Sequence, residues 1–344
     1  MAYSSILKPS ALMNTKLYTG NGGTLNITGV GFQPDWTWTK RRDNTGNHSL
    51  YDAVRGVTKR IESDTTDAEN TVATSLTAFG TDGFTLGSGG DSNGNNETYV
   101  SWNWKAGTAV SGSTTGSGTA KTYTGSVNTT SGFSIIKYTG NGTAGHTIPH
   151  HLGAAPQMII VKALSTNDDW MVGHTAAGFN QFMILNSTAR DATGTQFNST
   201  VPTSSVFSIG SNNNMNQNNN SFVAYSFTNI KGFSKFGGYT GNGNADGTFI
   251  YTGFKPAFVM VKLVSATENW YIFDNKRSDF NLSDDALKAN TNSAEIANWG
   301  VGFDFLSNGF KARATDGAIN AGEDYLYMAF AEEPLVASNF NVAT

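Results

Sequence analysis

Three stretches of the chain alternate large apolar side chains with smaller or polar ones: Trp36-Thr37-Trp38-Thr39-Lys40, Met158-Ile159-Ile160-Val161-Lys162 and Phe258-Val259-Met260-Val261-Lys262. Successive side chains point to opposite faces of a strand, so Trp36/Trp38, Met158/Ile160 and Phe258/Met260 each share a face, and each stretch reads as a core strand. A second set is Tyr99-Val100-Ser101-Trp102-Asn103-Trp104, Phe222-Val223-Ala224-Tyr225-Ser226-Phe227 and Tyr325-Leu326-Tyr327-Met328-Ala329-Phe330. Here Val100/Trp102/Trp104, Val223/Tyr225/Phe227 and Leu326/Met328/Phe330 form matching apolar faces.

The two sets belong to one repeated register. Tyr18-Thr19-Gly20-Asn21-Gly22 returns as Tyr138-Thr139-Gly140-Asn141-Gly142 and Tyr239-Thr240-Gly241-Asn242-Gly243. Gly-Asn-Gly marks a tight turn, because both residue types tolerate positive φ. Each copy is followed by Pro34, Pro156 or Pro256; six residues past the proline is Lys40, Lys162 or Lys262, and fourteen past it is His48, Trp170 or Trp270. Phe84, Phe207 and Phe310 each stand twenty residues before Trp104, Phe227 and Phe330. Offsets held over such lengths identify three copies of one unit.

Patterned strands near both ends of each unit, with turn signals between, predict an all-β fold of three tandem antiparallel β-sandwich repeats, jelly-roll or concanavalin-like. The first repeat spans residues 1–107, the second 131–230, and the third 231–344 with a C-terminal tail. Residues 108–130, rich in Gly, Ser and Thr, read as a linker. The second and third copies, joined through Gly232-Phe233-Ser234, are expected to pack as a pair. Asp284–Ala289 is the one short stretch with helical character.

Composition narrows the function classes. Only 14% of residues are charged, and the net charge of −4 is spread without a long Lys or Arg run, so nucleic acid and anionic membrane surfaces are not expected partners. With no Cys, disulfides and thiolate metal sites are excluded. The start, Met1 to Pro9, lacks a basic segment followed by a long apolar core, and no apolar stretch is long enough to span a bilayer. The expectation is a soluble chain with no membrane insertion.

Gly31-Phe32-Gln33-Pro34-Asp35-Trp36, Leu50-Tyr51-Asp52-Ala53-Val54-Arg55-Gly56, Asp82-Gly83-Phe84-Thr85-Leu86-Gly87, Gly132-Phe133-Ser134-Ile135-Ile136-Lys137-Tyr138 and His151-Leu152-Gly153-Ala154-Ala155-Pro156 resemble a repeated β-rich module. That module occurs in virion structural and tail-fibre-like proteins of tailed phages, notably marine phages. The resemblance implies a non-enzymatic virion component synthesised in the host cytoplasm, most directly a tail-fibre or host-adsorption protein. Its implied partners are other virion proteins and a host-surface glycan. A capsid (head) decoration protein and a tail-associated glycan depolymerase are the alternatives; the short stretch ahead of the first copy favours decoration, and the company the module keeps favours fibres. Closed symmetry makes a homo-oligomer, a trimer, the expected assembly.

The residues themselves offer little chemistry. Gly-x-Ser-x-Gly and His-Glu-x-x-His are absent and no carboxylate aligns in all three copies, so no catalytic residue, cofactor or metal is assigned. His146, His150 and His151 read as turn residues rather than metal ligands. Asp91–Glu97 lacks the spacing of a calcium loop and reads, with Asn212–Asn220, as part of a variable polar rim. Asp52/Arg55 and Asp274/Arg277 read as local ion pairs that fix a turn; the second copy carries His174 and Ala177 there. Lys40, Lys162 and Lys262 are expected to cover apolar surface with their stems and reach the rim with their ammonium groups. Trp170 and Trp270, just past the core strand, are the residues assigned to a bound glycan.

Overall fold

The computed structural model describes residues 8–333; residues 1–7 of the first expected repeat, and the C-terminal tail from 334, lie outside the described residues. The chain is built almost wholly of antiparallel strands. An opening strand, Met13–Thr19, pairs with a closing strand, Thr98–Trp104, which pairs with the core strand Trp36–Arg41, which pairs with Ser49–Asp52. The order recurs in a middle segment as Phe133–Thr139, Ser221–Phe227, Met158–Ala163 and Met171–His174. In a third segment it is Ser234–Thr240, Asp324–Ala331, Pro256–Leu263 and Trp270–Asp274. The register recurs too: Trp36 lies opposite Trp104, Met158 opposite Phe227 and Phe258 opposite Phe330.

A three-stranded outer sheet accompanies each of these inner sheets. Leu25–Ile27, Gly83–Leu86 and Leu76–Gly80 form the first; Thr115–Gly116, His146–Pro149 and Val206–Ile209 the second; Phe249–Tyr251, Gly309–Ala312 and Phe303–Leu306 the third. The smaller face of each inner sheet packs on its own outer sheet, for example Ile159 and Val161 with Ile148 and Phe207, or Val259 and Val261 with Ile250 and Phe310.

The large faces do not close three separate cores. They meet in one cluster containing Trp36, Trp38, Trp102 and Trp104 from the first segment, Met158, Ile160, Tyr225 and Phe227 from the middle, and Phe258, Met260, Met328 and Phe330 from the third. The Trp36 ring lies 4.5 Å from both Trp104 and Tyr225, and Trp104 meets Phe330 edge-on at 5.9 Å. Burying a large apolar side chain contributes about 1.5–3 kcal/mol, so the strongest patterned faces of the sequence stabilise contact between segments rather than the interior of each. All three segments pack together, not only the second and third.

Two further expectations change. Residues 108–130 are not a linker: Thr108–Ser113 and Thr122–Asn128 form a hairpin that adds to the edge of Phe133–Thr139 and helps extend the middle sheet to eight strands. Its composition suits packing, because a Cβ at Gly112 would stand 2.9 Å from the Tyr123 hydroxyl and one at Gly125 would stand 2.5 Å from Ile136 Cδ1. Tyr123 and Val127 are buried above those glycines' sheet. Asp284–Ala289 is not helical; Leu287–Lys288 pairs with the strand Trp270–Asp274, and single helical turns occur instead at Gly90–Asn93 and Asn213–Asn216.

Candidate functional site

Polar contacts between the inner sheets close a ring. Trp170 donates its indole N–H to Glu62 O at 2.9 Å and Trp270 to Ile184 O at 3.0 Å, while His48, at the matching position, meets Lys288 O through Nε2 at 2.9 Å. The lysines repeat the pattern: Lys162 Nζ donates to Thr66 O at 3.0 Å, Lys262 to Thr188 O at 3.1 Å and Lys40 to Asn292 O at 3.4 Å. The middle segment thereby holds the first, the third holds the middle, and the first holds the third. Backbone bonds run the other way, from Glu69 N to Leu164 O, Asp191 N to Val264 O and Glu295 N to Arg42 O.

A third rung crosses each seam at the turn after the fourth inner strand. Asp52 Oδ1 accepts the backbone N–H groups of Val54 and Arg55, and Oδ2 accepts from Arg55 Nε and, at 2.7 Å, from the Tyr225 hydroxyl of the middle segment. Asp274 holds Arg277 in the same way, with Nε at 2.7 Å, and accepts the Trp102 indole N–H of the first segment at 2.9 Å. The ion pairs expected from the sequence do fix these turns, but all four side chains are fully buried rather than exposed. In the middle segment His174 takes the aspartate's place. Its Nδ1 accepts the Ala176 N–H at 3.0 Å, which leaves Nε2–H to donate to Tyr327 O at 3.3 Å. Burial lowers the His174 pKa to about 4, so it crosses the seam as neutral imidazole.

Several sequence expectations are corrected by this geometry. Trp170 and Trp270 are 0% exposed, with their indole N–H groups committed to the ring, so neither offers a ring face to a glycan. Lys40, Lys162 and Lys262 do not reach the rim; they are buried, and desolvation lowers each to about 8. His146 lies between Asn216 and Thr114, His150 beside Thr203 O, and His151 beside the Tyr123 hydroxyl. Among the described residues no three His, Asp or Glu side chains converge to hold a metal ion, and no helix is long and apolar enough to cross a membrane.

The polar rim is partly structural as well. Asn93, Asn216 and Asn320 are buried, and each Oδ1 accepts the backbone N–H of Asn21, Asn141 or Asn242 at 2.8–3.0 Å, clamping the Gly-Asn-Gly turn. The tyrosine ahead of each turn donates to the residue before the clamp: Tyr18 to Ser92 O, Tyr138 to Met215 O and Tyr239 to Ile319 O. A Cβ at Gly20, Gly140 or Gly241 would stand 1.9–2.4 Å from a carbonyl oxygen of the clamping loop. The clamp residues stand eleven residues before Trp104 and Phe227 and ten before Phe330, a spacing that marks them once all three loops are aligned.

A family model matches residues 8–334, spanning all three segments as one unit. The chain belongs to that family, a domain of unknown function (DUF7483). No curated protein and no solved structure matches it. The matched region takes in all three inner sheets and their outer sheets. Its candidate functional surface is what the ring leaves outside: shallow clefts where the seams meet solvent, and exposed aromatics. One cleft, of about 440 Å³, lies between Asn14–Leu17 and the Lys276–Glu332 ion pair. Two adjoining clefts of about 450 and 680 Å³ open at the seam between the middle and third segments. On the third outer sheet, Phe249 and Tyr251 share the solvent face of one strand.

Proposed function

We propose that the chain is a non-enzymatic structural component of a phage virion, a tail-fibre or host-adsorption protein, made of three tandem β-sandwiches. In this reading each sandwich is an inner sheet with its outer sheet, and the three close on one another as a trimer of identical subunits would. The observation that carries it is the ring. Polar residues of the kind that form active sites, namely the two Asp-Arg pairs with His48, His174, Lys40, Lys162 and Lys262, are committed to holding segments together. A chain with internal threefold character suits a threefold position in a particle, where each segment faces an equivalent neighbour. Host contact then falls to the outer surface, where Tyr251 and Phe249 supply the flat rings that a glycan would stack on. The same internal symmetry supports the second reading, a head decoration protein seated on a local threefold axis.

Labelled antibody or cryo-microscopy on purified particles separates the two. A few copies at the tail tip are expected; many copies over the shell support decoration, and absence from the particle removes both. Purified protein should leave host capsule and lipopolysaccharide intact, and cleavage would establish the depolymerase instead.

A further inference from the structure

We propose that the cleft between the middle and third segments is a docking site for an arginine side chain presented by a partner protein. The three seams differ in how they hold a guanidinium. Arg55 and Arg277 stand at equivalent places, twenty-one residues past Pro34 and Pro256. Each guanidinium is gripped by the aspartate before it, by a backbone carbonyl (Leu50 O or Ile272 O), and by a glutamate, Glu69 at 3.2 Å or Glu295 at 3.1 Å. At the same offset past Pro156 the middle segment has Ala177.

At this seam acceptors are present while the matching arginine is absent. Asp191 is the counterpart of Glu69: both lie thirty-five residues past their prolines, and both donate their backbone N–H to the next segment. Among the described residues no basic group forms a salt bridge with Asp191, and Arg190 and Lys262 act on it only through space while partial burial pushes its pKa up. Gln181, the counterpart of Lys59, carries a buried Oε1 that accepts no hydrogen bond from any described residue. Gln181 and Asp191 line both adjoining clefts; Ala176 and Ala177 lie along one, and Arg190 and Ser265 along the other.

A guanidinium brings five N–H donors in a planar fork and matches a carboxylate beside an amide oxygen better than the point charge of an ammonium does. His174 is neutral and does not repel it. The cleft is open to solvent, so the side chain enters from outside the fold, as arginine anchors at protein interfaces do.

The test uses the full-length protein labelled for amide and side-chain NMR, titrated with N-acetyl-arginine amide, its neutral isostere N-acetyl-citrulline amide, N-acetyl-lysine amide and free arginine. Saturable shifts at Ala177, the Gln181 amide and Asp191 are expected with the blocked arginine, with citrulline at least about tenfold weaker. Asp191→Asn should weaken the arginine response by about tenfold, and Ala177→Arg, which refills the pocket from within, should abolish it. Absence of saturable shifts, equal binding of citrulline, or an unchanged response in Asp191→Asn overturns the proposal. Stronger binding of the lysine probe overturns the arginine assignment, and stronger binding of free arginine points to an amino-acid site rather than a partner protein. Should Ala177→Arg fail to fold, the Asp191→Asn and citrulline arms decide.

Discussion

Two seams of the ring carry a buried aspartate, its arginine and a neighbouring segment's donor to that carboxylate; the third carries none of the three. Where the middle segment meets the first, Asp52 receives Tyr225, and where the first meets the third, Asp274 receives Trp102. Where the third meets the middle, the closing strand offers Met328, which has no donor, and the facing residue is His174 rather than aspartate. A buried carboxylate needs its hydrogen bonds and its cation, and in this chain the aspartate, its arginine and the donor occur together at two seams and are all absent at the third. What looks along the sequence like a degenerate second copy is matched, across the seam, by a residue of the third segment that has no hydrogen to donate.

Removing the carboxylate should separate the two kinds of seam most widely. Asp52→Ala or Asp274→Ala leaves a buried guanidinium without its main partner and should cost about 3–5 kcal/mol in denaturant unfolding, whereas His174→Leu loses neutral hydrogen bonds worth about 0.5–1.5 kcal/mol each. Equal losses at the two kinds of seam would mean that the ion pairs are not what distinguishes them. A finer contrast uses two tryptophans of one strand. Trp102→Phe deprives Asp274 of a donor and should cost about 1–3 kcal/mol more than Trp104→Phe, whose indole N–H has no partner among the described residues.

A separate contrast is a pH dependence specific to the histidine seam. With its folded pKa lowered to about 4 from an ordinary value of 6.5, His174 binds more protons unfolded than folded across that interval. It therefore contributes stability that is fully present above pH 6.5 and lost as pH falls towards 4. Stability curves of the wild type and His174→Leu should converge as pH falls through this window; parallel curves would show that the imidazole is not held neutral by the fold.

Much of this architecture was legible in the sequence. The strand faces, the turn motif and the Pro-Lys offset each mark a recurring element, because alternation and fixed spacing are properties of a single strand or turn. Where those faces pack is a different kind of information. Trp36, Met158 and Phe258 show the same pattern whether they line three small cores or one large one, and nothing local distinguishes the cases. The same gap explains Lys40, Trp170 and Trp270: a lysine on an apolar face reads as snorkelling, and a tryptophan beyond a strand as exposed, unless the carbonyl waiting on another segment is known. The Gly, Ser and Thr of residues 108–130 misled for a related reason, since glycine that makes room for Tyr123 and Ile136 looks the same as glycine that makes a linker flexible.

Three segments fold as one body around a shared aromatic core. Scanning calorimetry of the whole chain, with the enthalpy of unfolding compared with the van't Hoff enthalpy, puts this to the test. One transition with a ratio near unity is the predicted result, together with failure of residues 131–230 to fold when produced alone. Separate transitions, each with its own share of the enthalpy, and a folded middle fragment would contradict it.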